Sequence, residues 1–186
     1  MSRPIDPPPV LLLRGAADPS PWHAWLRTQG FRDVREADAG RGTAALREAA
    51  RALGPAPLVV VRGDVFFTGA IGWLVAFHGL RKATATLALV TGGTGGPCVT
   101  TGEKGVVTAL LPEPDDPTAW RYAGVAVLGP RFLAALPEAD VPLEALLPRW
   151  VGSGLYGCRF PDARCLDLTR PDEARRAARW RPVKPA

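Results

Sequence analysis

The apolar stretch at residues 57–67, PLVVVRGDVFF, delivers a single acid, Asp64, to the end of a run whose continuity marks a strand buried on both faces. In an open α/β sheet, ligands collect beyond the carboxyl ends of such strands, so Asp64 stands where a carboxylate could hold a divalent metal. The same residue in Arg62-Gly63-Asp64 also suits a turn or a helix cap, and one carboxylate is not a site. A second chemical candidate is Gly40-Arg41-Gly42-Thr43, a turn into a helix over 44–53 whose first N–H groups could receive a phosphate or a base. A glycine turn before a helix is common, so that signal is weak alone. His78 shares helical spacing with Ile71, Leu74 and Val75 and reads as a packed side chain rather than a catalyst. Cys158 and Cys165 flank Pro161-Asp162; a tight hairpin there sets them opposite each other, as a packed thiol pair or, in the second reading, a redox switch.

The elements that must position these residues alternate along the chain. Strands are expected at 10–13, 31–37, 57–67, 84–90, 98–101, 105–111, 122–128, 155–160 and 163–168. Helices are expected at 22–29 (capped by Ser20, with Pro21 first), 44–53, 68–80, 131–136, 143–151 and 171–180 (capped by Thr169). Trp22, Trp25 and Leu26 share one side of the first helix and belong to the core. Residues 92–96 form a loop, and without a GKS/T ending it is not a P-loop. The pattern predicts a three-layer α/β/α sandwich with a mainly parallel mixed sheet, in one domain over 10–186 behind a proline-rich tail at 1–9.

Composition excludes several classes. The chain has 186 residues, 47% of them hydrophobic, enough for one well-packed domain and too many for disorder. No apolar run approaches bilayer length and the N-terminus lacks a signal peptide's apolar segment, so a cytoplasmic protein is expected. Three cysteines give no disulfide framework, and two histidines leave no zinc spacing. The net charge of +5 owes much to Arg175, Arg176, Arg179, Arg181 and Lys184. These read as a solvated helix face or, alternatively, a surface for an acidic partner; no nucleic-acid module is present, and nucleic acid is not expected.

Several segments, in order, resemble the sugar-phosphate nucleotidylyltransferases, which make nucleoside-diphosphate sugars. Arg41-Gly42-Thr43-Ala44-Ala45-Leu46 is similar to the family's GTAGAL turn, and Val59 to Val65 to its strand ending in GD. His78 with Ala83-Thr84-Ala85-Thr86-Leu87-Ala88 matches its H…ATLA segment. Tyr122-Ala123-Gly124-Val125-Ala126-Val127-Leu128 is similar to its AGIYVL strand, and Leu143-Glu144-Ala145-Leu146-Leu147-Pro148 to the helix that follows. Cys165-Leu166-Asp167-Leu168-Thr169-Arg170-Pro171-Asp172-Glu173 is similar to its W-x-DIGTPE exit. The resemblance implies a nucleotide-diphospho-sugar transferase-like fold, with Asp64 and Asp167 as magnesium ligands. It also implies a sugar contact by Glu144 and the backbone of Gly124, and a base or ribose contact around Gly42 and Thr43.

The same resemblance exposes gaps. The family's opening strand, its GxGTR phosphate loop and the lysine of its PKP segment have no counterpart, and residues 10–13 look like its second strand. Its second lysine, in an EKP triplet, falls near Pro112-Glu113-Pro114. Phosphoryl transfer depends on positive charge around the phosphates. The expectation is therefore a relative degenerate in catalysis that binds a nucleotide or nucleotide-sugar with magnesium. The alternative is an active enzyme in which Arg14, Arg41 or Arg62, or a partner chain, supplies the charge. A sheet edge left by the missing strand would call for a homodimer or a partner protein.

Overall fold

Continuous apolar runs become interior strands here, and amphipathic segments become the helices that cover them. The structure, a computed structural model, describes residues 7–92, 96–112 and 118–180. Its first half comprises β1 (Val10–Arg14), α1 (Ser20–Thr28), β2 (Val34–Asp38), α2 (Gly42–Leu53), β3 (Leu58–Arg62), β4 (Val65–Phe67), α3 (Ile71–Arg81) and β5 (Ala85–Thr91). Its second half comprises β6 (Cys98–Thr101), β7 (Val107–Leu111), β8 (Trp120–Leu128), α4 (Pro130–Ala134), β9 (Leu155–Arg159), β10 (Cys165–Asp167) and α5 (Pro171–Ala178).

Among the described residues the main sheet runs β2-β1-β3-β8-β5-β9, with β6 and β7 beside β8. Along that path β1, β2, β3, β5 and β9 point one way and only β8 opposes them. One face packs Val10, Leu12, Val59, Val61 and Val125 under α1, α3 and α5, through Trp22, Leu26, Ile71, Leu74 and Ala177. The other packs Leu11, Val60, Leu87 and Leu128 under α2, α4 and the turns at 143–150, through Leu46, Phe132, Leu143 and Leu147. This is the expected three-layer α/β/α sandwich. No described helix is long and apolar enough to cross a membrane.

The stretch at 57–67 is two strands, not one. Gly63 breaks it: its N–H donates to the Leu13 carbonyl at 2.7 Å, and a Cβ there would stand 2.8 Å from the same oxygen. β4 then leaves the main sheet and pairs antiparallel with β10. The buried Trp22 indole fixes this departure by donating to the Val65 carbonyl at 2.6 Å.

Other boundaries shift for identifiable reasons. Residues 155–168 do not close into a hairpin: β9 runs parallel to β5 while β10 pairs with β4. Cys158 is thus opposite Ala88 and Cys165 opposite Phe67, and all three cysteines are free and buried. The helix expected over 143–151 is a pair of 3-10 turns, Leu143–Ala145 and Leu147–Trp150, because Pro148 lacks the N–H that a continuing helix needs. Ser20 does not cap α1; instead Asp18 accepts from the Ser20 N–H at 2.9 Å and hydroxyl at 2.7 Å. Nor does Thr169 cap α5, which starts without a side-chain cap.

β1 is hydrogen-bonded on both sides, to β2 and to β3. No gap separates it from β3. The edge strand β2 reads Val34-Arg35-Glu36-Ala37-Asp38, and such closely spaced charges discourage pairing with another strand.

Candidate functional site

Where β1 and β3 end side by side, a cavity of about 320 Å³ opens at the carboxyl end of the sheet. Leu13, Ala39, Pro142 and Leu143 give it apolar walls, Gly15 and Gly42 contribute backbone, and Arg62, Asp64 and Glu144 supply the charge. These residues come from four separate parts of the chain, and each is placed by contacts that the local sequence dictates.

Arg62 is the last residue of β3, and Asp64 follows the Gly63 break. The guanidinium meets the carboxylate as a fork, Nε to Oδ1 at 3.0 Å and Nη2 to Oδ2. Its third nitrogen, Nη1, lies 3.6 Å from Glu144 Oε1. The three side chains are each about one-third exposed, at 31%, 36% and 32%, so ligand and solvent both reach them. Burial alone would lower the Arg62 pKa; the hydrogen bonds and charge of Asp64, with Glu144, more than offset it, and the net shift is upward. Gly124 in β8 makes room for this arrangement. Its φ is +75°, and a Cβ there would lie 2.5 Å from Val65 Cγ2 and 3.3 Å from Arg62 Cβ.

Glu144 is held in place from α2. Thr43 is fully buried; its N–H donates to the Val141 carbonyl at 3.1 Å and its hydroxyl to the Ala139 carbonyl at 2.9 Å. Arg47 adds bonds to the Pro137 carbonyl and, at 3.1 Å, to Asp140. Gly42 sits so close to this loop that a Cβ would stand 2.7 Å from the Val141 carbonyl, with φ at +48°. The Thr43 N–H at the start of α2 therefore serves the loop: Thr43 positions the segment that carries Glu144, and Gly42 itself lines the cavity.

Asp167 has a different setting. It pairs with Val65 across β10 and β4, and the Leu168 N–H donates to the Asp64 carbonyl at 2.9 Å, so the backbones adjoin. Its side chain does not line the cavity. Oδ1 accepts from the Thr169 N–H at 2.9 Å and hydroxyl at 2.6 Å, closing its own turn, while its N–H donates to Glu173 Oε2 at 2.6 Å.

Magnesium is the group the sequence resemblance implies, and the residues can be tested for it. Both Asp64 oxygens already bind Arg62, and Asp167 is engaged with Thr169. Among the described residues no three His, Cys, Asp or Glu side chains gather as a ligand set. A dication placed ~5 Å from the guanidinium would meet repulsion of roughly 7 kcal/mol at an effective dielectric near ~20, before screening by water. The pair does not fit a preformed magnesium site.

Of the arginines that could supply positive charge, Arg62 alone lines the cavity. Arg14 pairs with Glu36 at 3.0 Å and Arg41 with Glu48 at 2.8 Å. The EKP-like segment lies outside the described residues apart from Pro112, as do Arg181 and Lys184; Arg175 and Arg176 on α5, and Arg179 just past its end, are exposed. His78 is buried, bonded through Nδ1 to the Thr86 hydroxyl at 2.9 Å. Burial pushes the Cys158 thiol up to about 11 and Cys165 to about 12, which keeps both protonated and unreactive near neutrality.

Tyr122 is the residue that sequence reasoning passed over. It is fully buried in β8, its hydroxyl has no hydrogen-bond partner among the described residues, and it feels the charges of Glu144, Arg62 and Asp64. Burial first, then Glu144, drives its pKa upward, so it stays a neutral donor. The one signal in the sequence was a phenol at the head of the apolar run 122–128.

No family model matches the chain, and no curated protein matches it in sequence. Solved structures do. HddC from Yersinia pseudotuberculosis is 12% identical with a TM-score of 0.71, the match covering 90% of this chain and 96% of that one. HddC complexed with GMP-PN is 13% identical, with the same TM-score and coverage. A putative glucose-1-phosphate thymidylyltransferase from Bacillus anthracis, in complex with a sucrose, is 17% identical with a TM-score of 0.58, covering 90% of this chain and 73% of that one. The likeness establishes a shared nucleotidyltransferase-like α/β fold.

Proposed function

We propose that this chain binds a nucleotide or nucleotide-sugar in the cavity between β1, β3 and the turn at 142–144. The observation that carries the reading is convergence: Gly42, Asp64 and Glu144, chosen from three distant segments, line one hollow with Arg62. Its position beyond the carboxyl ends of parallel strands, where α/β sheets take their ligands, supports the same reading. So does the fold shared with HddC, a protein whose structure has been solved with GMP-PN.

The charges disfavour transfer and leave Arg62 as the group that would meet a bound phosphate. Two carboxylates against one guanidinium leave a net single negative charge around the cavity. A nucleotidylyl transfer needs surplus positive charge on the phosphates, and the apolar walls add none. Asp64 would fix Arg62, and Glu144 would accept from sugar or ribose hydroxyls. Calorimetry with UTP, GTP, dTTP and their sugar diphosphates tests the reading. Binding of at least one, lost in Glu144→Ala, is expected; no heat with any of them overturns it. Pyrophosphate release from a nucleoside triphosphate and a panel of sugar 1-phosphates would instead establish the active-enzyme alternative.

A further inference from the structure

We propose that Arg62 is the resident cation of this cavity, held by Asp64 and facing Glu144, and that phosphate-bearing ligands are taken here without magnesium. The second half of this statement rests on the function proposed above; the first half does not.

Four observations converge on Arg62. Its fork occupies both oxygens of Asp64, and its remaining terminal nitrogen faces Glu144 at 3.6 Å. Its stem runs across Gly124, where a Cβ would come within 3.3 Å of Arg62 Cβ and 3.5 Å of Cδ, so β8 is shaped to admit this side chain. The other acid that could have completed a metal pair, Asp167, is turned into a bond network of its own. Finally, among the described residues Arg62 is the only positive side chain lining the cavity. A guanidinium is planar, permanently charged and less strongly hydrated than a small ion, so it can anchor on a carboxylate and still offer N–H donors to phosphate oxygens. Magnesium asks for near-octahedral oxygen geometry and gives up water reluctantly. With one charge in place of two, the arginine makes a binding site weaker in electrostatic pull but independent of ion supply.

The test uses the intact protein and two probes. Mn²⁺ titration followed by electron paramagnetic resonance reads the cation site directly. Wild type is expected to show no Mn²⁺ site, whereas Arg62→Gln, which frees Asp64 and Glu144, gains one that the added change Asp64→Asn removes. GDP and UDP-glucose titrations then read the ligand: chelation by EDTA should shift wild-type affinity by less than about threefold, and Arg62→Gln should weaken it by about tenfold or more. A wild-type Mn²⁺ site that Asp64→Asn abolishes overturns the proposal, and this result needs no Arg62 variant to fold. Folded Arg62→Gln that gains no Mn²⁺ overturns it too, as does loss of GDP or UDP-glucose binding on chelation. If neither nucleotide binds under any condition, the proposed function fails while the Mn²⁺ titrations still decide the role of Arg62.

Discussion

At the carboxyl end of the sheet, charged side chains crowd around open space; at the amino end, comparable chemistry is sealed. Arg62, Asp64 and Glu144 each keep about a third of their side-chain surface, at 31%, 36% and 32%, and face a cavity. His78, at the other end, is 7% exposed and spends its Nδ1 on Thr86. Gly129 and Gly154 close that end. A Cβ on Gly129 would meet the Ala83 and Thr84 carbonyls at 3.1 Å and His78 Nε2 at 3.3 Å, and one on Gly154 would meet Thr84 Oγ1 at 2.6 Å. The difference teaches that location in the fold, not residue type, separates a candidate site from packing here. At the amino end the same fold turns them into packing.

Two glycine substitutions should break the comparison if it is wrong. Gly124→Ala forces a φ of +75° on a residue with a side chain and drives its methyl against Val65 and Arg62. Gly154→Ala does the same at φ +117° against Thr84. Each should lose ~2–4 kcal/mol of stability in urea denaturation, from backbone strain and overpacking together. Their effects on the folded protein should part company: Gly124→Ala displaces Arg62 and loses GDP or UDP-glucose binding, whereas Gly154→Ala retains wild-type affinity. Equal loss of binding in both would mean that the two ends are mechanically coupled and the contrast false.

The same contrast explains what could be read from the sequence. Unbroken runs such as Leu58-Val59-Val60-Val61 and Tyr122 to Leu128 announced interior strands because burial on both faces leaves no polar alternation to confuse. Asp64 was legible because strand ends and turn glycines are local signals. Gly42 and Glu144 were visible through motif resemblance, but their geometry was not: Thr43 works by bonding Ala139, 96 positions away, and no local pattern records that. β10 was misassigned for a similar reason. Three residues, Cys165-Leu166-Asp167, carry too little periodicity to show that their partner is β4 rather than the neighbouring β9. The Arg62 fork was hidden in plain view, since an arginine before Gly-Asp looks like ordinary turn chemistry.

Acid should sharpen the picture at the sealed end. Burial depresses the His78 pKa from 6.5 to about 4. Between those values the unfolded chain binds a proton that the folded chain refuses, so the stabilising contribution is complete above pH 6.5 and is lost as pH falls through about 4. The expected cost is roughly 3 kcal/mol by the low end of that window. Urea midpoints measured from pH 7.5 to pH 4.5 should fall less steeply in His78→Gln than in wild type. Identical slopes would show that His78 already accepts its proton in the folded state.

The smallest expected effects on stability separate two acids that adjoin through the backbone. Asp64→Asn and Asp167→Asn should each cost below about 1 kcal/mol, because both carboxylates are partly exposed and their partners can turn to water. Ligand affinity should distinguish them sharply. Asp64→Asn releases Arg62 from its fork and should weaken GDP or UDP-glucose binding by about tenfold, while Asp167→Asn, altering a turn that bonds Thr169, should leave it within about twofold. Matching losses from the two variants would place both acids in one ligand set and return the site to a metal-bridged form. Divergent losses, read by the same calorimetric titration, fix the boundary of the functional end between two residues whose strands share a hydrogen bond.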